Sequence, residues 1–189
     1  MRCLPFLKEM EMPKRLCRHC EKLKDIKEFT FIFNDHLQDR KGEWIKSFVC
    51  EKCAKKMGIR IWQYTNIYNS ALIGRNCSIG CFCEIGKDVV IGDNVRIGAY
   101  TFIPEGVTIE DDVFIAPKVC FVNDKFPPSH GKSWEKTLIK KGAVIGANST
   151  ILPIVIGERA LIGAGSVVTK DIPPDEVWCG CPAKFLRKR

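Results

Sequence analysis

No run of about 18 apolar residues occurs anywhere in the 189-residue chain, so no segment reads as a membrane-spanning helix. The first twelve residues are apolar only in patches. Pro5, Lys8, Glu9 and Glu11 interrupt them, and the continuous apolar stretch of a secretory signal is missing. The expectation is a cytoplasmic protein without a membrane partner. An even cysteine count is missing too. Eleven cysteines in a chain without a secretory signal argue against a disulfide framework. Beyond residue 60, apolar residues follow neither the 3.6-residue period of an amphipathic helix nor the simple alternation of a hairpin sheet.

What is present divides near residue 60. Residues 1–60 hold 15 Lys/Arg against 9 Asp/Glu, and residues 61–189 hold 15 against 13. A basic N-terminal part could meet nucleic acid or an acidic partner. The aromatic-basic interleaving of a single-strand binder is not evident, which favours a solvated basic surface.

After residue 60 the interval is six. An aliphatic residue recurs at Ile73, Ile79, Ile85, Ile91, Ile97, Ile103, Ile109 and Ile115, and glycine follows each of the first five. The series resumes at Ile139, Ile145 and Ile151, slips by one, and continues at Ile156, Ile162 and Val168. Such a period predicts a mainly β fold, a parallel β-helix in which three hexapeptides make one triangular coil. The aliphatic residues should point inward and stack from coil to coil. The fourth residue after each should also point inward and be small, and Cys77, Cys83, Val89, Val95, Thr101, Val107, Val113 and Val119 stand there. Cys77, Cys81, Cys83, Cys120, Cys179 and Cys181 read for the most part as small fillers of this repeat.

Three departures interrupt the repeat. Residues 121–138, with two prolines and several polar residues, read as an excursion from the coils. The step from Ile151 to Ile156 is five residues, which implies a tightened corner or a local slip of register. Pro173 and Pro174 end the periodicity, and residues 174–189 read as a short helix or cap over the open end.

The segments Ile61-Trp-Gln-Tyr-Thr-Asn-Ile67, Glu110-Asp-Asp-Val-Phe-Ile-Ala-Pro117 and Phe121-Val-Asn-Asp124 carry a more specific resemblance. With the closing Gly163–Pro173 and Gly180–Lys184 stretches, residues 60–189 resemble the hexapeptide-repeat acyltransferases, in particular the group that N-acetylates amino sugars on nucleotide carriers. The resemblance implies a left-handed β-helix, a homotrimer with parallel axes, and acetyl-coenzyme A in the groove between subunits. It implies a UDP- or dTDP-linked amino sugar as acceptor, for surface glycan synthesis. The chain departs from the family at Ile151–Ile156, where Ile-Leu-Pro-Gly-Val is usual, and at Cys181, where Asn is usual. Pro182 should still support a turn there.

Amide formation needs a neutral amine held beside a thioester carbonyl and donors for the oxyanion. The excursion offers Asn123, Asp124 and His130. Asn123 and Asp124 can orient the amine, as the resemblance favours. His130 has the ordinary chemistry of a general base; its plain reading is a solvent-facing loop residue. For coenzyme A, Lys170, Lys184, Arg187 and Lys188 are candidate phosphate partners, and Ala147, Ala164 and Gly165 leave room for the pantetheine arm.

Residues 1–59 carry Cys17-Arg-His-Cys20 and Cys50-Glu-Lys-Cys53, two C-x-x-C pairs with 29 residues between them. Four thiolates so paired suit one structural, tetrahedral zinc with no open position. Phe29–Phe33 and Trp44–Val49 read as strands, and residues 54–57 as a short helix. The whole resembles a treble-clef zinc module. A segment so short would bury little core without the metal. Two other functions stay open: an O-acyl- or succinyltransferase on this scaffold, and a non-enzymatic trimer whose zinc module binds nucleic acid or protein.

Overall fold

A computed structural model describes residues 14–16, 23–25, 56–68, 70–131 and 133–189. In the N-terminal region, Lys14–Leu16 pairs antiparallel with Leu23–Asp25, with Lys14 opposite Asp25 and Leu16 opposite Leu23. Cys17, Cys20, Cys50 and Cys53 lie outside the described residues, as do the strands expected at 29–33 and 44–49 and all but the end of the expected helix.

From Arg60 onward the chain winds into a parallel β-solenoid of about six turns, the arrangement that a left-handed β-helix fits. Two- and three-residue strands stack into three faces. The first face takes strands ending at Ile61, Ile79, Ile97, Ile115, Ile145 and Ile162. The second takes those at Ile67, Ile85, Ile103, Phe121, Ile151 and Val168. The third takes Ile73, Ile91, Ile109, Ile139 and Ile156, and Ile172 bridges to it. The repeat therefore begins two hexapeptides before Ile73, and Phe121 occupies an aliphatic station.

Each strand puts one residue out and one in, so the prism fills with a ladder of isoleucines. Ile79, Ile85, Ile103, Ile115, Ile139, Ile145, Ile151 and Ile156 are fully buried. Burying one such side chain stabilises the fold by about 2 kcal/mol. The small inward residues are buried as expected, and the polar ones among them bond to backbone. Thr101 Oγ1 donates to the Gly98 carbonyl at 2.8 Å, Cys77 Sγ to Gly92 at 3.1 Å and Cys83 Sγ to Gly98 at 3.1 Å. The filler reading holds for Cys77 and Cys83 only. Cys120 and Cys181 are exposed, and Cys81 and Cys179 are half-buried, because the latter four sit at outward or corner positions.

Corners demand left-handed backbone, which costs most residues about 1–2 kcal/mol. Non-glycine residues nevertheless adopt it there, and their side chains stack along the axis in compensation. At the corner leading from first to second face, Tyr64, Phe82 and Tyr100 have φ of 61°, 56° and 61°. Their rings stack at centroid spacings of 5.0 Å. At the corner from third to first face, Asn76 Nδ2 donates to Asn94 Oδ1 at 3.2 Å, and Asn94 Nδ2 to Asp112 Oδ1 at 2.9 Å.

The five-residue step is a shortened corner with the register intact. Leu138 pairs with Val155 and Ile139 with Ile156, while Ile154 turns inward in place of the usual small residue. The C-terminal segment corrects the helix expectation. Glu176–Gly180 adds a parallel strand beside Leu161–Ile162, and Ala183–Lys188 folds back antiparallel across the Cys181-Pro182 turn. Pairing supplies the reason: a hairpin satisfies the free strand edge of the last coil, which a helix would leave open. Trp178, buried, covers the end of the isoleucine ladder, and its indole N–H donates to Glu176 Oε2 at 2.8 Å.

Candidate active site

The excursion leaves the stack after the second-face strand Cys120–Phe121 and returns at Thr137 on the third face. It is pinned at both ends. Val122 N donates to Ile151 O at 2.9 Å, and Thr137 N to Gly106 O at 3.1 Å. Inside it, Asp124 bridges antiparallel to Trp134, and Glu135 N donates to Asn123 O at 2.9 Å. This short ladder sets Asn123 and Asp124 at the base of the loop.

Asp124 is held from below. The Ser129 backbone N–H donates to Asp124 Oδ2 at 2.8 Å, while Oδ1 is buried with no hydrogen-bond partner. The Ser129 contact, aided by the nearby His130, keeps the Asp124 carboxyl below its ordinary range. The group is therefore an ionised acceptor at neutral pH, suited to orienting an amine and poorly suited to carrying a proton away. Asn123 Nδ2 approaches the Glu105 carbonyl at 3.4 Å, a long contact that leaves the amide available.

Below the loop, at the corner between second and third faces, lies a groove of about 340 Å³. Asn123, Glu84, Glu105, Phe102, Tyr68 and Trp134 supply its chemistry. Of these the sequence reading singled out Asn123 alone. Glu84 and Phe102 were legible as outward neighbours of Ile85 and Ile103, but nothing in the period marks one outward ladder as functional. His130 is exposed at the loop tip, with φ of 52°, and does not line the groove.

The residues expected to hold coenzyme A fall into two groups. Ala147, Ala164 and Gly165 meet at the corner between first and second faces, where Gly165 N donates to Ala147 O at 2.7 Å. A Cβ added to Gly165 would meet nothing within 4 Å, so the backbone there is open to a ligand. Lys170 instead lies at the opposite edge of the second face, its ammonium 5.1 Å from the centroid of the Trp178 ring. Lys184 and Arg187 are exposed on the last hairpin strand. Within one chain, the alanine–glycine corner and the Asn123–Asp124 loop occupy opposite edges of one face. Among the described residues no cluster of three or more His, Cys, Asp or Glu could hold a metal, and no helix is long and apolar enough to cross a membrane.

The comparisons with known proteins agree with this architecture. Residues 88–122 match the bacterial transferase hexapeptide (six repeats) model, and residues 137–170 match the hexapeptide repeat of succinyl-transferase. The dTDP-3-amino-3,6-dideoxy-alpha-D-galactopyranose 3-N-acetyltransferase of Aneurinibacillus thermoaerophilus is 53% identical over 55 residues, 29% of this chain and 29% of that protein. The bifunctional protein GlmU of Thermotoga petrophila is 31% identical over 146 residues, 74% of this chain and 30% of that protein. The chain thus spans under a third of the length of these curated relatives. Among solved structures, a single-site mutant of AntD, an N-acyltransferase from Bacillus cereus, superposes with a TM-score of 0.63 at 30% identity. The match covers 70% of this chain and 81% of that one, which was crystallised with dTDP-4-amino-4,6-dideoxyglucose and coenzyme A. Repeat models, solenoid register and a similar fold over most of the AntD chain converge, and the chain belongs to the hexapeptide-repeat acyltransferase family.

Proposed function

We propose that the chain is an acetyl-coenzyme A-dependent N-acetyltransferase whose acceptor is a nucleotide-linked amino sugar, UDP- or dTDP-bound, destined for a surface glycan. The observation that carries this reading is Asp124: an ionised carboxylate with one oxygen anchored and the other buried and unpartnered, next in the chain to Asn123, which lines the groove. An unpartnered buried acceptor is costly unless a ligand completes it. An amino group would do so. The similarity to N-acyltransferases of dTDP-amino sugars supports the same choice.

The chemistry then requires little side-chain catalysis. Asp124 orients the neutral amine by accepting one of its hydrogens. Asn123 offers its amide to the amine or a neighbouring hydroxyl. Glu84 and Glu105 give the groove carboxylates that can accept from the sugar's amine and hydroxyls, and Lys87, on the same lining, supplies a cation for the nucleotide's phosphates. The amine lone pair attacks the thioester carbonyl, the C–N bond forms, the C–S bond breaks, and the amine proton ends on the departing thiolate or in water. Most of the acceleration comes from alignment.

Lys170, at the far edge of the second face, would serve the donor held by a neighbouring copy; within the chain the donor belongs at Ala147, Ala164 and Gly165, with Lys184 and Arg187 toward its phosphates. That edge lies across the second face from Asn123. Three copies side by side, axes parallel, would bring the donor edge of one against the loop of the next, which is why a homotrimer is part of the proposal. A cytoplasmic setting, where both substrates occur, completes it. For the N-terminal segment we propose a structural zinc on Cys17, Cys20, Cys50 and Cys53, on the strength of the spacing. The direct test is release of free thiol from acetyl-coenzyme A against a panel of amino-sugar nucleotides. A rate unaffected by Asn123→Ala and Asp124→Ala together would remove the assignment.

A further inference from the structure

A second depression, sharing no residue with the groove under the excursion, lies on the first face over the first three coils. It has a volume of about 520 Å³ and is lined by Gly58, Ile59, Arg60, Asn76, Ser78, Asn94 and Arg96. Arg60, Ser78 and Arg96 are successive outward stations of one ladder: Arg60 pairs with Ser78 and Ser78 with Arg96. One coil separates neighbouring strands by about 4.8 Å. The arginine Cα atoms therefore stand about 10 Å apart, within reach of a common ligand, with the Ser78 hydroxyl between them.

Three cations elsewhere on the solenoid have carboxylate partners. Lys141 meets Asp112 at 3.4 Å, Arg159 meets Asp175 at 2.7 Å, and Lys188 meets Glu176 at 2.7 Å. Among the described residues, none that lines the depression is acidic. Neighbouring carboxylates are engaged away from it. Asp93 Oδ1 accepts from Arg75 N, Asp111 Oδ1 from Asp93 N, and Asp112 Oδ1 from the Asn94 amide. Farther along the same ladder the outward residues turn apolar, with Phe114, Val144 and Leu161. The two arginines thus stand together at one end of the face, apart from the cations of the C-terminal hairpin, on backbone fixed by parallel pairing on both sides of Ser78.

We propose that Arg60 and Arg96, with Ser78 between them, form a binding site for a small phosphate-bearing anion of the diphosphate class. Two guanidinium forks can each take two phosphate oxygens, and the hydroxyl can donate to the bridging region. The volume suits a nucleoside diphosphate. The site stands independently of the acyl-transfer assignment, since it uses none of that machinery.

The test is titration calorimetry on the full chain, with inorganic pyrophosphate, inorganic phosphate and a short single-stranded oligonucleotide as probes. Pyrophosphate should bind more tightly than phosphate. Arg60→Gln and Arg96→Gln should each weaken pyrophosphate at least tenfold, and the pair should abolish it. Arg96→Lys should restore part of the affinity, and the Asn123→Ala, Asp124→Ala double variant should bind as the parent does. Thermal melting of each variant separates lost binding from lost fold. The proposal is overturned if pyrophosphate fails to bind the parent at millimolar concentration, if a folded double glutamine variant binds it unchanged, or if the oligonucleotide outcompetes it at this site.

Discussion

The backbone N–H of Ser129 holds one oxygen of Asp124 at 2.8 Å and leaves the other buried with no partner, so a five-residue link inside the excursion fixes that carboxylate beside the groove-lining Asn123. Asp124→Asn keeps the shape and removes the charge. Acetyl transfer should fall about a hundredfold, with the effect in kcat and melting temperature little changed. Steady-state kinetics with the best acceptor found in the panel reads this directly.

The pH profile follows from the same contact. The folded Asp124 carboxyl is held below its ordinary value, chiefly by the Ser129 N–H. Its contribution to stability is therefore present above the unfolded value of about 3.9 and is lost as pH falls through the lower folded one. Activity between pH 6 and 8 should show no limb from Asp124, and His130→Ala should leave the profile superimposable on the parent. An acid limb that vanishes in His130→Ala would instead make the histidine the base.

Two glycines should respond to alanine by different amounts. A Cβ on Gly98 would come to 2.3 Å from Pro117 N and 2.6 Å from Ala116 C, both backbone of the next coil. The coils cannot separate locally, so Gly98→Ala should cost about 3 kcal/mol. Gly165, with φ of 68° and nothing within 4 Å, should cost about 1 kcal/mol as alanine. Urea titrations compare the two.

Phe121 is fully buried at a station that isoleucine or valine holds elsewhere on its face, one residue before the chain departs from the stack. Phe121→Ala should cost about 3–5 kcal/mol and disturb the loop it precedes. Phe121→Ile, which restores the ladder residue, should cost far less. Denaturant midpoints for both variants decide it.

Metal content tests the N-terminal proposal. The purified chain should carry one zinc by elemental analysis, and Cys17→Ser with Cys20→Ser should lose it while residues 60–189 keep their cooperative melt. A full-length chain without metal at any pH above 7 would remove the zinc.

The coil stack was legible because its physics is periodic. An inward isoleucine every sixth residue can satisfy only a closed three-sided core, and the glycines after them mark where coils approach too closely for a Cβ. The small inward stations from Cys77 to Val119 followed from the same rule. The C-terminal hairpin was not legible, since Glu176–Gly180 lacks the period and is fixed by pairing with Leu161–Ile162. Nor were the groove residues. Glu84, Glu105 and Trp134 are ordinary polar and aromatic letters in sequence, brought together only by coil stacking and by the bridge between Asp124 and Trp134. Asn123 and Asp124 are proposed through resemblance, which carries information that local chemistry does not.

The strand pairs on either side of the excursion, Phe102 with Cys120 before it and Thr108 with Leu138 after it, keep the alignment they would have had with no inserted residues. A segment clamped so closely at its two roots is mechanically insulated from the scaffold. It can be lengthened, shortened or exchanged at the entropic cost of closing a surface loop. If the proposed function holds, grafting this one segment should change acceptor preference and leave the prism untouched.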